Sequence, residues 1–268
     1  MKRLAAAAFC SAALLLGSGC AVPGGNVVSA NETKDRVTAS DESDASKRAR
    51  LRLELASAYF GRGQFETALD EVKQSIAADP NHAPAFNLRG LIYASLGDTR
   101  LADESFRRAL QLNPRDADTM QNFAWYLCQQ KRFDEAEAMF SQALAVPLYP
   151  GAPRTLMTQG VCQARAGQLA AAERTLLKSF EADSRNPATA VNLAELLLQR
   201  GDLERARFYI RRVNVNSDYV NAQTLWLAAR IENRLGNREG VDEIAVRLRS
   251  RFPQSREADA VERGHFDE

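Results

Sequence analysis

Histidine is nearly absent from this sequence: His82 and His265 are the only two. Neither has cysteine or acidic partners at metal-ligand spacing, so the pattern offers no metal site. The G-x-S-x-G elbow, the phosphate-cradling Walker loop and the G-x-G-x-x-G fingerprint are missing too. Gly61-Arg-Gly63 reads as an ordinary turn between helices. Excess charge is lacking as well: 35 lysines and arginines face 34 acidic residues, a formal charge of +1 over 268 residues. A nucleic-acid partner wants a basic face, and this balance supplies none. Acidic pairs such as Asp134-Glu135 fit the wet faces of helices. After the first twenty residues no apolar run approaches the ~18 residues of a membrane-spanning helix. These absences exclude cofactor chemistry, a small-molecule substrate and nucleic-acid binding as readings of the chain.

The first twenty residues differ from all that follows. Lys2 and Arg3 precede the apolar run Leu4 to Leu16, too short for a comfortable span and the right length for the core of a signal peptide. Gly17-Ser18-Gly19 then leads to Cys20. Small residues before a cysteine resemble a bacterial lipobox, whose cysteine takes lipid and becomes the mature N-terminus. Gly17 stands where such boxes usually carry leucine, and simple cleavage without lipid is the alternative. Residues 1–19 are thus expected to be a leader. Cys20 would be a lipid anchor in the periplasmic face of the outer membrane, since no aspartate follows it. The polar stretch 20–45 shows no helical period and reads as a flexible tether.

A 34-residue period takes over from Ala49. Gly63 and Gly97, Pro80 and Pro114, and Gly167 and Gly201 are each 34 apart. This is the period of the tetratricopeptide repeat, with its W-x₂-L-G-x₂-Y, A-x₃-F and P pattern. Residues 83–116 match it through Phe86, Gly90, Tyr93, Ala102, Phe106, Ala109 and Pro114. Six repeats follow one another at 49–82, 83–116, 117–150, 153–186, 187–220 and 222–255. The last has Glu232 where an aromatic is expected. The fold class is therefore all-α, a superhelical solenoid over residues 46–255, with 256–268 as a capping tail. Each repeat is two antiparallel helices that cannot bury their apolar face alone, so neighbours must stack. The register leaves no room for an inserted catalytic domain, and no enzyme is expected.

Conventional groove positions on the first helix of each repeat collect Leu53, Phe60, Asn87, Leu91, Gln121, Asn122, Trp125, Met157, Val161, Val191 and Leu198. A row rich in large apolar side chains on an otherwise charged solenoid suits a protein segment. Some of these residues would pack against neighbouring helices instead. Cys10 leaves with the leader and Cys20 is taken by lipid, so Cys128 and Cys162 remain, late in two successive first helices. Stacked helices at about 8–10 Å can bring such Cα atoms within disulfide reach. Two buried free thiols are the alternative.

Gln121-Asn-Phe-Ala-Trp-Tyr-Leu-Cys128, followed by Phe133-Asp-Glu-Ala136 and Phe140, resembles the N-N-Y-G-x-F-L-C segment of the type IV pilus biogenesis lipoprotein family PilF/PilW. Leu148-Tyr-Pro150, Gly160-Val-Cys162 and Ala206-Arg207 continue the resemblance, while Gln121 and Ala124 depart from it. It implies a pilotin: a lipid-anchored scaffold that helps the pilus secretin reach, assemble in or persist in the outer membrane. It also implies that Cys128 and Cys162 form a bond that supports function. An accessory lipoprotein of outer-membrane barrel assembly, or an adaptor for peptidoglycan hydrolases, would use the same solenoid.

Overall fold

The computed structural model describes residues 43–266, and among them it contains thirteen helices and no strand. The expected leader, Cys20 and nearly all of the expected tether lie outside the described residues. The tether's last residues are already helical, because Ser43 accepts a hydrogen bond from the Ser46 amide and starts α1 at Asp44, ahead of the period that begins at Ala49. The helices pair as α1 (Asp44–Gly61) with α2 (Phe65–Ala78), α3 (Ala83–Leu96) with α4 (Thr99–Leu112), and α5 (Ala117–Gln129) with α6 (Phe133–Leu144). The series continues as α7 (Ala152–Arg165) with α8 (Leu169–Ala182), α9 (Pro187–Arg200) with α10 (Leu203–Val215), and α11 (Ala222–Arg234) with α12 (Arg238–Arg251). A short α13 (Arg256–Glu262) packs on α11 and α12.

Every first helix stops in the same way. Gly63, Gly97, Lys131, Gly167, Gly201 and Gly236 all take positive φ. In the second repeat, Asp98 N–H donates to the Tyr93 carbonyl and Gly97 N–H to that of Ala94. This is the paired closure that a left-handed residue makes possible, and it spends no side chain. Lys131 adopts that conformation at φ 60° without being glycine, and the same closure forms, with Lys131 N–H donating to the Cys128 carbonyl and Arg132 N–H to that of Leu127. These turn residues are 34 apart until Lys131, then 36 to Gly167, 34 to Gly201 and 35 to Gly236. The longer step holds the Ala145–Gly151 connection, where Leu148 also turns with positive φ. The repeat register slips by two residues between α5 and α7.

Inside each pair a small residue on one helix admits a large one from the other. A Cβ added to Gly90 would stand 2.8 Å from the Phe106 ring, and one added to Gly160 would stand 2.6 Å from Leu176 Cγ. Phe106 is fully buried and stacks at 5.2 Å on Phe123, with Tyr126 at 5.5 Å. Toward the other end the core becomes aliphatic, with Leu193, Leu197, Ile210, Leu225, Ile231 and Leu248 all fully or almost fully buried.

Polar contacts then join repeat to repeat from one repeating place, the residue after the buried alanine of α4, α6, α8 and α10. Asp103 reaches Arg132 at 2.6 Å, and Glu137 accepts from Gln159 at 2.7 Å. Glu173 pairs with Arg200 and Arg205, and Arg207 pairs with Glu232 at 2.5 Å. Burial pushes the Asp103 carboxyl up, but hydrogen bonds from Arg107 and Arg132 outweigh it and hold the group below its ordinary range.

Candidate functional site

First helices touch the next first helix all along the described chain: α1 on α3, α3 on α5, α5 on α7, α7 on α9 and α9 on α11. Successive second helices keep their backbones farther apart and meet only through side chains, as where the Phe180 ring of α8 lies 5.2 Å from that of Tyr209 on α10. The array therefore bends with the first helices on the inside, and their exposed side chains line one continuous inner face.

Counting back from the turn residues assigns each side chain to that face or to the packing. Ten places back stand Leu53, Asn87, Gln121, Met157, Val191 and Trp226; six places back stand Ser57, Leu91, Trp125, Val161, Glu195 and Arg230. Leu53, Asn87, Leu91, Trp125, Met157, Val161 and Val191 are half-buried, as residues on a lined groove should be. Asn122 is half-buried too and donates to the Asn87 side chain at 3.3 Å, tying α5 to α3. Three expected groove residues are placed otherwise. Gln121 is 4% exposed, and Leu198 is 5% exposed within the aliphatic core. Leu198 and Phe60 both stand three places before the turn, the place from which Cys128 reaches the next first helix. That position faces a neighbour rather than solvent, and Phe60 is half covered there, its ring 5.6 Å from that of Phe65.

Cys128 and Cys162 meet across the α5–α7 contact, with their Cα atoms 5.8 Å apart and their sulfurs at disulfide distance. Both are almost fully buried. They stand three and five places before their turns, so the two-residue slip in register is what brings them opposite one another.

The sequence reading passed over the charged members of this face. The Arg165 guanidinium lies 4.8 Å over the Trp125 ring, an attraction between cation and π face that fixes the indole. Val161, Arg165, Asn192 and Glu195 border a cavity of about 440 Å³ between α7 and α9. A second, of about 680 Å³, lies between α9 and α11 and is lined by Val191, Glu195, Trp226, Arg230 and Glu257. The same count from the turn glycines would have found Trp226, Glu195 and Arg230. Arg165 has no such signal. Among the described residues no three histidine, cysteine or acidic side chains gather as a metal site. No described helix is long and apolar enough to cross a membrane.

Stacked helical pairs closed by left-handed turns, with an inner face of exposed side chains, define a tetratricopeptide-repeat scaffold. Models of the tetratricopeptide repeat match residues 82–148, 122–187 and, in two pieces, 49–74 and 187–207. The crystal structure of PilW, a widely conserved type IV pilus biogenesis factor, is 30% identical, with a TM-score of 0.74 over 80% of this chain and 97% of that one. The type IV pilus assembly protein PilF of Pseudomonas aeruginosa is 26% identical over 205 residues, 76% of this chain and 81% of its own length. A solved structure of Pseudomonas aeruginosa PilF has the same fold, at TM-score 0.70 and 24% identity over 83% of this chain and all of that one. The chain belongs to the PilF/PilW family of type IV pilus biogenesis proteins.

Proposed function

We propose that this chain is a pilotin, a lipid-anchored scaffold that holds a segment of the type IV pilus secretin on its inner face and promotes the secretin's assembly in the outer membrane. The observation that carries the reading is the row Leu91, Trp125, Met157, Val161 and Val191. These are large side chains left half open along helices whose other faces are packed. Leaving them unpartnered keeps apolar area in water, while a bound helix or extended segment would cover it at ~25 cal/mol per Å². Membership of the PilF/PilW family supports the pilus as the setting. Lipid on Cys20 would supply the address, since acyl chains contribute about 0.8 kcal/mol per buried CH₂ and several chains together hold permanently.

Deleting the chain from its host should deplete secretin multimers from outer-membrane fractions and abolish twitching motility. Restoring it with Cys20→Ser should return a folded protein that fails to concentrate secretin in that membrane. Normal secretin multimers in the deletion strain would overturn the reading in favour of barrel assembly or hydrolase recruitment.

A further inference from the structure

Residues 264–266, just beyond α13, fold back onto the solenoid. Gly264, at φ 68°, reverses the backbone, with His265 N–H donating to the Ala260 carbonyl at 2.9 Å. That closure aims Phe266 back onto the inner face. Its ring lies flat on Trp226, with centroids 5.7 Å apart and planes 12° from parallel. Arg230 Nε donates to the Phe266 carbonyl oxygen at 3.2 Å. Trp226 and Arg230 hold the same two register places as Met157 and Val161, so the tail sits on the sixth repeat's share of the groove. Beside it, the 680 Å³ cavity between α9 and α11 stays open, walled by Val191, Trp226 and Arg230.

We propose that Trp226 and Arg230 form a subsite for an aromatic side chain and the backbone carbonyl beside it, and that the C-terminal segment occupies this subsite in cis until a partner's aromatic segment displaces it. The tail itself shows the chemistry that fits. A flat ring meets the indole face, where offset stacking is favourable, and a carbonyl meets a guanidinium. An intramolecular occupant acts at an effective concentration in the millimolar range, enough to hold a weak contact closed yet open to a tighter competitor. The proposal rests on the inner face being the partner surface, and it names one feature of that partner: an aromatic residue in an exposed segment.

The test is direct binding of a fluorescein-labelled peptide of residues 260–266 to the full chain, followed by anisotropy. A tail docked nine times in ten leaves about a tenth of the molecules competent, so Phe266→Ala should bind the peptide about tenfold more tightly than wild type. Phe266→Leu, which keeps apolar cover without a flat ring, should fall between them. The same peptide with alanine for its phenylalanine should not bind, and adding Trp226→Ala to Phe266→Ala should cost at least tenfold. Equal binding to wild type and Phe266→Ala, or binding indifferent to Trp226, would overturn the proposal. So would a Phe266→Ala chain that melts lower and takes no peptide, which would make the tail a structural cap alone. No secretin enters this assay. Its failure would leave the secretin reading standing, and normal secretin assembly without this chain would leave the peptide result untouched.

Discussion

The second and third repeats are built around rings, whereas the fifth and sixth are built around branched aliphatic chains and a buried ion pair. Phe106, Phe123 and Tyr126 stack in the first region, where Gly90 makes the space for them. In the second, Leu193, Leu197, Leu225 and Ile231 fill the core. There Glu232 replaces the aromatic that Tyr59 and Tyr93 supply at the same distance before the turn. It is 4% exposed and held by Arg207, Arg211 and Asn237. One helical pair can thus be closed by a ring or by a charge, the charge being satisfied here by arginines of the preceding second helix. The fourth repeat lies between the two regions, and the cysteines join its α7 to α5 where the register slips.

The join should give the largest effect. Closing a loop of this length stabilises by roughly 4 kcal/mol in the chain-entropy model. Purified oxidised protein should have no reactive thiol at Cys128 or Cys162, and dithiothreitol should lower its melting temperature while leaving that of Cys128→Ser unchanged. Quantitative thiol labelling without reductant would remove the join from the account.

Next comes the ion pair of the aliphatic region. Glu232→Ala leaves Arg207 with only the exposed Glu204 and should cost roughly 3 kcal/mol, the low end for a broken buried pair because Arg207 also keeps a fifth of its side chain exposed. Burial pushes the Glu232 carboxyl up, but hydrogen bonds from Arg207 and Asn237 outweigh this and hold it below its ordinary value. A depressed carboxylate stabilises the fold fully above its unfolded value, near 4.3, and loses that contribution as pH falls through the folded value. Denaturant unfolding of Glu232→Ala and wild type should therefore differ most at neutral pH and converge in acid. A gap independent of pH would show that Glu232 acts by shape alone.

The aromatic region is tested by Gly90→Ala, whose added methyl meets the Phe106 ring at 2.8 Å. Overpacking of this kind costs about 1–3 kcal/mol. Melting curves should show the loss, and combining it with Phe106→Leu should recover part of it. If Gly90→Ala is neutral, the rings are not the tightly packed element the comparison makes them.

Much of this was legible in the sequence because glycine turns and small–large spacings announce themselves at a fixed period. Gly63, Gly97, Gly167 and Gly201 mark the turns, and the fold class follows from stacking the pairs. The candidate face was only partly legible. Lys131 hid one turn, since a lysine carries no sign of a left-handed backbone. The slip that follows it was visible only as a gap in repeat numbering. The start of α1 at Asp44 depended on the Ser43 cap, a local hydrogen bond inside a polar stretch. Leu198 and Phe60 looked like groove residues because a single position rule cannot tell an open place from one that faces the next helix. Arg165 over Trp125 and Phe266 over Trp226 are contacts between repeats, or between repeat and tail, which periodicity does not encode.

Site-specific photocrosslinking in the host membrane tests the central claim most directly. A photoreactive amino acid placed at Trp125, Met157 or Val191 should capture the secretin. The same probe at Glu104 or Lys178, exposed on the second helices, should not. Buried aromatic anchors commonly carry at least about 2 kcal/mol, some thirtyfold in affinity, so Trp125→Ala and Met157→Glu should also weaken capture from Val191 while changing the melting temperature little. Capture from the second helices, or none from the inner face, would contradict the account.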